Sequence, residues 1–280
     1  MTPLRIGFLV PRYTPRSTSQ LPAAMRLLAE AGVIVDVIYP TEGVVDLSTV
    51  QVAHDLYVLK KVSALPLSLA GALHTQGAAM VNHYPVCLAL RDKIVTFRIL
   101  QAAGVPVPAT YVSRHREELV PLLEAGPLVV KPYQGTSGHG VCIVRSAADL
   151  DTVQVGKDPV FAQRYHPPEG RDRKLYRIGA RIFGVHKVFP ARTEAEKHGE
   201  PFTPTPEECS IVLRCGRAFG IDLYGVDIIE SQGRPYVVDM SAMPGFKGVP
   251  NAARHLAEYF RAAAERAVSG SHALEAATVS

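Results

Sequence analysis

The first 84 residues alternate short apolar runs with helix-periodic segments, and this alternation constrains the fold more than any other feature of the chain. "LRIGFLV" (4–10) precedes a helical pattern at "LPAAMRLLAEAG" (21–32). Next come "VIVDVIY" (33–39), "DLYVLK" (55–60), a second helical stretch at "LPLSLAGALHTQG" (65–77) and "AAMVN" (78–82). Two neighbouring antiparallel strands need only a two-residue turn, whereas parallel strands need a crossover of about a dozen residues or more. Strands separated by helices of this length therefore predict an α/β lobe with a parallel sheet, ending near residue 84.

The pattern then changes. "YPVCLALRDKIVTFRILQAAG" (84–104) reads as one helix closed by Gly104. "GPLVVKPY" (126–133), a Gly-rich loop, "GVCIVRS" (140–146), a short helix and "DPVFAQRY" (158–165) read as a small α+β lobe. Beyond it, "RKLYRIGARIFGVHKVF" (173–189) folds back at Ile178–Arg181, and a helix runs through "TPEECSIVLRCGRAFG" (205–220). A second hairpin, "LYGVDIIESQGRPYVVDMS" (223–241), turns at Ser231–Gly233, and a last helix covers about 251–267. The expected divisions are 1–84, 85–165, 166–268 and a flexible tail over 269–280, whose residues are small and polar.

Composition narrows the function classes. A net charge of +4 with scattered basic residues gives no support to nucleic-acid or membrane-surface binding. No stretch approaches the roughly 20 apolar residues of a membrane span. Pro11 and Arg12 interrupt the first apolar run, and no small-residue cleavage site follows, which argues against a signal peptide. Cys87, Cys142, Cys209 and Cys215 are dispersed, without a Cys-x-x-Cys pair, and read as reduced thiols of a cytoplasmic protein.

Three constellations carry chemistry. Lys131 leaves an apolar strand just before Gly135, Gly138 and Gly140, which surround Thr136 and Ser137. Such a loop lets backbone amides approach phosphate oxygens closely. The spacing fits neither the P-loop nor the dinucleotide fingerprint, so an ordinary hairpin stays open beside a phosphate clamp. In the second hairpin Asp227 and Asp239 lie on strands joined by a tight turn, and alternation puts Ser241 on the face of Asp239. Oxygen ligands on neighbouring strands suit a hard cation; the alternative is one exposed acid and one turn cap. Gln163, Tyr165 and Asp172 flank a Pro-rich connection suited to a purine edge and a ribose hydroxyl. Lys174, Arg177, Arg181 and Lys187 run through the first hairpin, as anion readers or as an exposed charged face.

Taken in order, these pieces resemble the ATP-grasp superfamily, most closely its RimK-like and glutathione-synthetase-like ligases, over roughly residues 4–265. The pieces are Lys93 on a helix before "AAGVPVPATYV", Lys131 before the Gly-rich loop, a Gln-x-Tyr strand end, an Asp-x-Lys strand start, paired acids and "PGF". The resemblance implies an ATP-grasp fold with an N-terminal parallel-sheet lobe. It also implies an ATP-dependent carboxylate–amine ligase that forms an amide through an acyl phosphate and requires Mg²⁺, or Mn²⁺ in its place. By the same resemblance Lys93 and Lys131 contact ATP phosphates, and Thr136, Ser137 and Gly138 belong to the loop covering them. Gln163, Arg164 and Tyr165 form the adenine hinge, Asp172 meets the ribose, and Asp227, Asp239 and Ser241 hold the metal. Arg192, with Lys131, steadies the transferring phosphoryl group. The match departs at Arg164, where an acid is usual, and at Ser241, where the family usually carries Asn. An inositol-polyphosphate-type kinase or a non-catalytic nucleotide-binding protein remains an alternative. The expected partners are small-molecule carboxylate and amine substrates, with association as a homodimer compatible with the family, and neither nucleic acid nor membrane.

Overall fold

The computed structural model describes residues 2–14, 17–60, 64–134, 140–153, 158–188, 193, 196 and 198–278. The N-terminal sheet holds β1 (Arg5–Leu9), β2 (Ile34–Ile38), β3 (Leu56–Leu59) and β4 (Met80–Val81) in the order β2-β1-β3-β4. All three pairings are parallel, as the alternation predicts. The crossovers contain α1 (Leu21–Glu30), which buries Leu21, Ala24 and Leu28 along one stripe, and α2 (Ala64–Thr75).

The segment expected as one helix is two, α3 (Tyr84–Arg91) and α4 (Lys93–Ala102). Asp92 separates them because its backbone is extended and its carboxylate accepts from the N–H groups of Ile94 (2.8 Å) and Val95 (3.2 Å). A side chain that competes for backbone N–H groups ends one helix and starts the next. This break makes Lys93 the first residue of α4, and its own N–H donates to Tyr133 O at 2.9 Å.

The second sheet is antiparallel, in the order β5-β8-β6-β7, built from β5 (Thr110–Ser113), β6 (Leu128–Pro132), β7 (Cys142–Val144) and β8 (Val160–Arg164). The short helix α5 (Ala147–Thr152), opened by a Ser146–Asp149 capping box, packs beside it. The third sheet has the order β11-β10-β9-β12-β13, from β9 (Asp172–Ile178), β10 (Arg181–Lys187), β11 (Glu200–Phe202), β12 (Leu223–Ser231) and β13 (Arg234–Ser241). Helix α6 (Pro206–Phe219) opens on a Thr205–Glu208 capping box and closes on left-handed Gly220. Helix α7 (Ala252–Thr278) continues past 268, where the sequence suggested a flexible tail.

The apolar cores do not follow the expected divisions. One core joins Leu59 of β3 and Phe97 of α4 to Ile211 of α6 and Val226 of β12. A second joins Ile6 and Phe8 of β1 to Leu256 and Phe260 of α7 and to Tyr176 of β9. Phe8 and Phe260 meet edge to face with ring centroids 5.7 Å apart. The sheet β5-β8-β6-β7 has a core of its own, with Leu128, Val130, Leu150 and Ala162. Asn82 ties the first sheet to the third by donating from Nδ2 to Leu223 O and Ala242 O, both at 2.7 Å.

Candidate active site

One face of the third sheet gathers the acids. Asp227 of β12 stands opposite Lys174 on β9 and Asp239 on β13, so the three residues form a row across adjacent strands. Ser241, two residues beyond Asp239, lies opposite Gly225 and shares the Asp239 face. The register slips next to this row: Asp227 pairs with Asp239 but Ile228 pairs with Val237, which leaves Val238 as the extra residue of a bulge. A bulge takes one residue out of the ladder and re-aims its groups. The Val238 carbonyl accepts from Lys131 Nζ at 3.1 Å.

Lys131 thus reaches from the second sheet to the third, and its Nζ also donates to Gln163 Oε1 at 2.8 Å. Burial lowers its pKa to about 8, against the pull of Asp239 and Asp227. Lys93 Nζ, at the start of α4, lies 3.9 Å from Asp239 Oδ1. Two ammonium groups, one at a helix start and one on a strand of the second sheet, therefore face two strand-borne carboxylates of the third sheet.

The carboxylates are crowded. Burial raises the Asp239 pKa above the ordinary range; Lys93 opposes the rise and Asp227 adds to it. Asp227 Oδ2 accepts from Lys174 Nζ at 3.1 Å. Its Oδ1 lies 2.7 Å from the same nitrogen at an angle that forms no hydrogen bond, and so remains a buried acceptor with unused capacity. Two facing acids with a spare oxygen fit a divalent cation, which would remove their repulsion. Among the described residues no three His, Cys, Asp or Glu side chains converge. The oxygen groups on this face are the two carboxylates and the Ser241 hydroxyl, a set whose chemistry would suit a hard cation such as Mg²⁺.

The adenine-hinge residues divide. Gln163 is buried, with Oε1 on Lys131 and Nε2 donating to Thr110 Oγ1 at 3.2 Å. Arg164 points away: its guanidinium donates to the carbonyls of Gly126, Pro127 and Leu122 and lies over the Tyr111 ring. Its side chain is a tie within the second sheet, which explains why a charge is tolerated there. The N–H groups of Arg164 and Tyr165 donate to Ala109 O and Pro127 O. Asp172 sits on the acid face opposite Lys187; burial and Asp227 raise its pKa, and Lys174 opposes them. Thr136, Ser137, Gly138 and Arg192 lie outside the described residues.

Of the four basic residues in the first hairpin, two reach this site. Lys174 pairs with Asp227, and Lys187 Nζ donates to Lys247 O at 3.3 Å. Arg177 instead donates to Gly179 O, and Arg181 pairs with Glu258 of α7. Sequence reasoning missed Lys60, just past the end of β3, whose Nζ donates to Met243 O at 2.5 Å in the loop after β13. Its only signal was a charge ending the run "DLYVLK".

A cavity of about 350 Å³ lies at the other end of β3, lined by Leu56, Asn82, Asp222, Tyr259 and Arg266 among others, and contains none of these site residues. No helix among the described residues is long and apolar enough to cross a membrane.

Comparison with known proteins agrees with the geometry. The sequence profile described as the RimK-like ATP-grasp domain matches residues 90–259. A probable alpha-L-glutamate ligase 2 of Shewanella frigidimarina is 29% identical over 58% of this chain and 59% of its own length. The match thus spans under two thirds of that relative. Among solved structures, the RimK domain protein ATP-grasp from Sphaerobacter thermophilus superposes with a TM-score of 0.74 at 19% identity, covering 91% of this chain and 98% of that one. The ATP-grasp ligase PsnB, complexed with minimal precursor, Mg and ADP, superposes with a TM-score of 0.70 at 17% identity, covering 94% and 99%. The profile takes in both site lysines, both acids and the bulge that joins the two antiparallel sheets, and the chain belongs to the RimK-like ATP-grasp family.

Proposed function

We propose that the protein is an ATP-dependent carboxylate–amine ligase, forming an amide by way of an acyl phosphate. The observation that carries this reading is the row Lys174–Asp227–Asp239 faced by Lys93 and Lys131 from across the gap. Phosphoryl transfer asks a protein chiefly to position groups and to neutralise oxygen charge, and this arrangement supplies both. The names of the relatives, glutamate ligases among them, make an amino acid the first substrate to test.

In this reading ATP lies between the second sheet, within residues 85–165, and the third sheet, within residues 166–268. Lys93 and Lys131 bind phosphate oxygens, with Lys131 giving up its Val238 contact as it does so. Asp227, Asp239 and Ser241 hold Mg²⁺, which would neutralise charge on the phosphates when bound. Lys174 holds Asp227 in place through its ion pair. Gln163 positions Lys131, Tyr165 borders the adenine, and Asp172 accepts from the ribose. Thr136, Ser137 and Gly138 cover the phosphates, and Arg192 steadies the acyl phosphate until the amine attacks.

The test is a screen for ADP release over carboxylate and amine pairs, with mass spectrometry of the product. The expected result is an amide formed together with ADP in a Mg²⁺-dependent way, lost in Asp239→Asn. Phosphate transfer to a hydroxyl, with no amine consumed, would replace this reading with a small-molecule kinase. ADP release that survives Asp239→Asn would remove the acid from the metal site.

A further inference from the structure

The cavity of about 350 Å³ lies apart from the acid row and is built from three stretches of chain. Residues 79–83 supply the outer strand β4 and its flanks, residues 220–222 the turn from α6 into β12, and Tyr259, Ala263 and Arg266 part of α7. Ala263 and Arg266 stand about 16–21 Å along α7 from Ala252, at 1.5 Å per residue, and so well back from the loop that follows β13. None of the lysines or acids of the candidate active site lines this cavity.

Two opposite charges line it without pairing. Asp222 Oδ1 accepts from the Tyr259 hydroxyl at 2.5 Å, and Asp222 O accepts from Gly179 N at 2.8 Å, so both the side chain and the backbone of this residue are held. An ionised carboxylate accepts at both oxygens, and the Tyr259 bond uses one of them. Among the described residues neither Asp222 nor Arg266 takes part in an ion pair. Asn82 also lines the cavity, but both hydrogens of its Nδ2 are taken by Leu223 O and Ala242 O. The walls further include Leu56, Ile221 and Ala263, all buried and apolar. A carboxylate, a guanidinium and an apolar wall in one cavity match a small zwitterion with a hydrocarbon body. The volume agrees, because ligand pockets run from roughly 300 to 1,000 Å³ and this one stands at the small end, too small for a nucleotide.

We propose that this cavity binds a free α-amino acid with an apolar side chain, its ammonium on Asp222, its carboxylate on Arg266 and its side chain against Leu56 and Ile221. Both polar contacts are charge-assisted, and the guanidinium presents two parallel donors to the carboxylate. The cavity is thus a second small-molecule site, apart from the one in which ATP and the substrates meet. This inference stands on the cavity alone and does not depend on the ligase reading.

The test is calorimetric titration of the full chain, without nucleotide or Mg²⁺, with L-leucine, L-leucinamide and 4-methylpentanoate. The amide lacks the carboxylate, and 4-methylpentanoate lacks the ammonium. The expected result is binding of L-leucine, with each analogue weaker by about tenfold or more. Arg266→Gln brings L-leucine down to the level of its amide, Arg266→Lys recovers part of the loss, and Ala267→Phe, which sets a ring into the cavity, abolishes binding. Arg266 is exposed and Ala267 half-buried, so neither change empties a core, and the Tm of each variant without ligand checks its fold. Hydrogen exchange with L-leucine present is expected to slow at 79–83, 220–222 and 259–267. Four results overturn the site: L-leucine does not bind, both analogues bind as well as it does, Arg266→Gln and Ala267→Phe leave its binding unchanged, or the protection falls on the acid row of β12 and β13 instead.

Discussion

Lys131 illustrates how much of the site depends on single ammonium groups. In the structure Gln163 and the bulge carbonyl of Val238 satisfy it, yet burial still holds its pKa at about 8, against an ordinary 10.5. The sign of the consequence follows from linkage. Below pH 8 the lysine is charged in both folded and unfolded chains, and the cost of burying that charge is fully present. Between about 8 and 10.5 the unfolded chain binds more protons than the folded one, so this residue makes stability rise with pH. In urea titrations Lys131→Met, which has no such charge, is expected to lose ground to wild type as pH goes from about 7.5 to about 9.5; a difference independent of pH would refute the depressed pKa. Binding of a phosphate anion also restores the proton. Nucleotide titration near pH 8.5 is therefore expected to take up protons, visible as a heat that depends on the ionisation enthalpy of the buffer, and to lose much of that uptake in Lys131→Met.

At the scale of elements, two local devices place these groups. Asp92 ends α3 and caps α4, which makes Lys93 the first residue of that helix. Asp92→Ala is expected to cost about 1 kcal/mol by denaturant unfolding and, by letting the helix start fray, to raise the KM for ATP. Asp92→Asn, which preserves the acceptor, should recover most of both; an unchanged KM in the alanine variant would show that Lys93 is placed by packing instead. The second device is the loop after β13. Gly248 has φ 82°, and a Cβ built there would stand 2.4 Å from His198 O. Gly248→Ala is therefore expected to push the 198–199 backbone off the loop that carries Lys247 and to lower activity more than it lowers the Tm. Hydrogen exchange confined to those two segments would locate the damage.

On the scale of the whole molecule, the boundaries in the sequence and the boundaries in the packing differ. The N-terminal sheet and the third sheet share two cores, sealed by α4, α6 and α7, whereas the second sheet has a smaller core of its own and joins the others through Phe161 of β8, which packs on Phe97 of α4. Phe260→Ala removes a fully buried ring that bridges the first and third sheets, and is expected to cost about 3–5 kcal/mol in a single global unfolding transition. Val130→Ala, in the separate core, should instead speed hydrogen exchange in β5 to β8 while leaving the first and third sheets protected. Uniform loss of protection in both variants would mean that the two bodies unfold as one.

The alternation of runs and helices was enough to determine a parallel first sheet and two antiparallel hairpins, and to bring Asp227 near Asp239, because each depends on period and turn length within about 20 residues; setting the two acids opposite one another took the register slip at Val238. Local chemistry also exposed Lys131 as a charge at the end of an apolar strand, whereas Lys93 was found only through the family resemblance. The break at Asp92 escaped the sequence reading because the apolar pattern runs through it, although Asp is a favoured capping residue. Three matters were decided only in three dimensions. The Val238 bulge arises from a register slip between strands, which no single strand encodes. Arg164 turned inward because carbonyls of the 122–127 segment happened to lie within its reach. Lys60 reached Met243 O through packing of the first sheet against the third, across a separation of well over a hundred residues, and contact at that range is a property of the assembled fold alone.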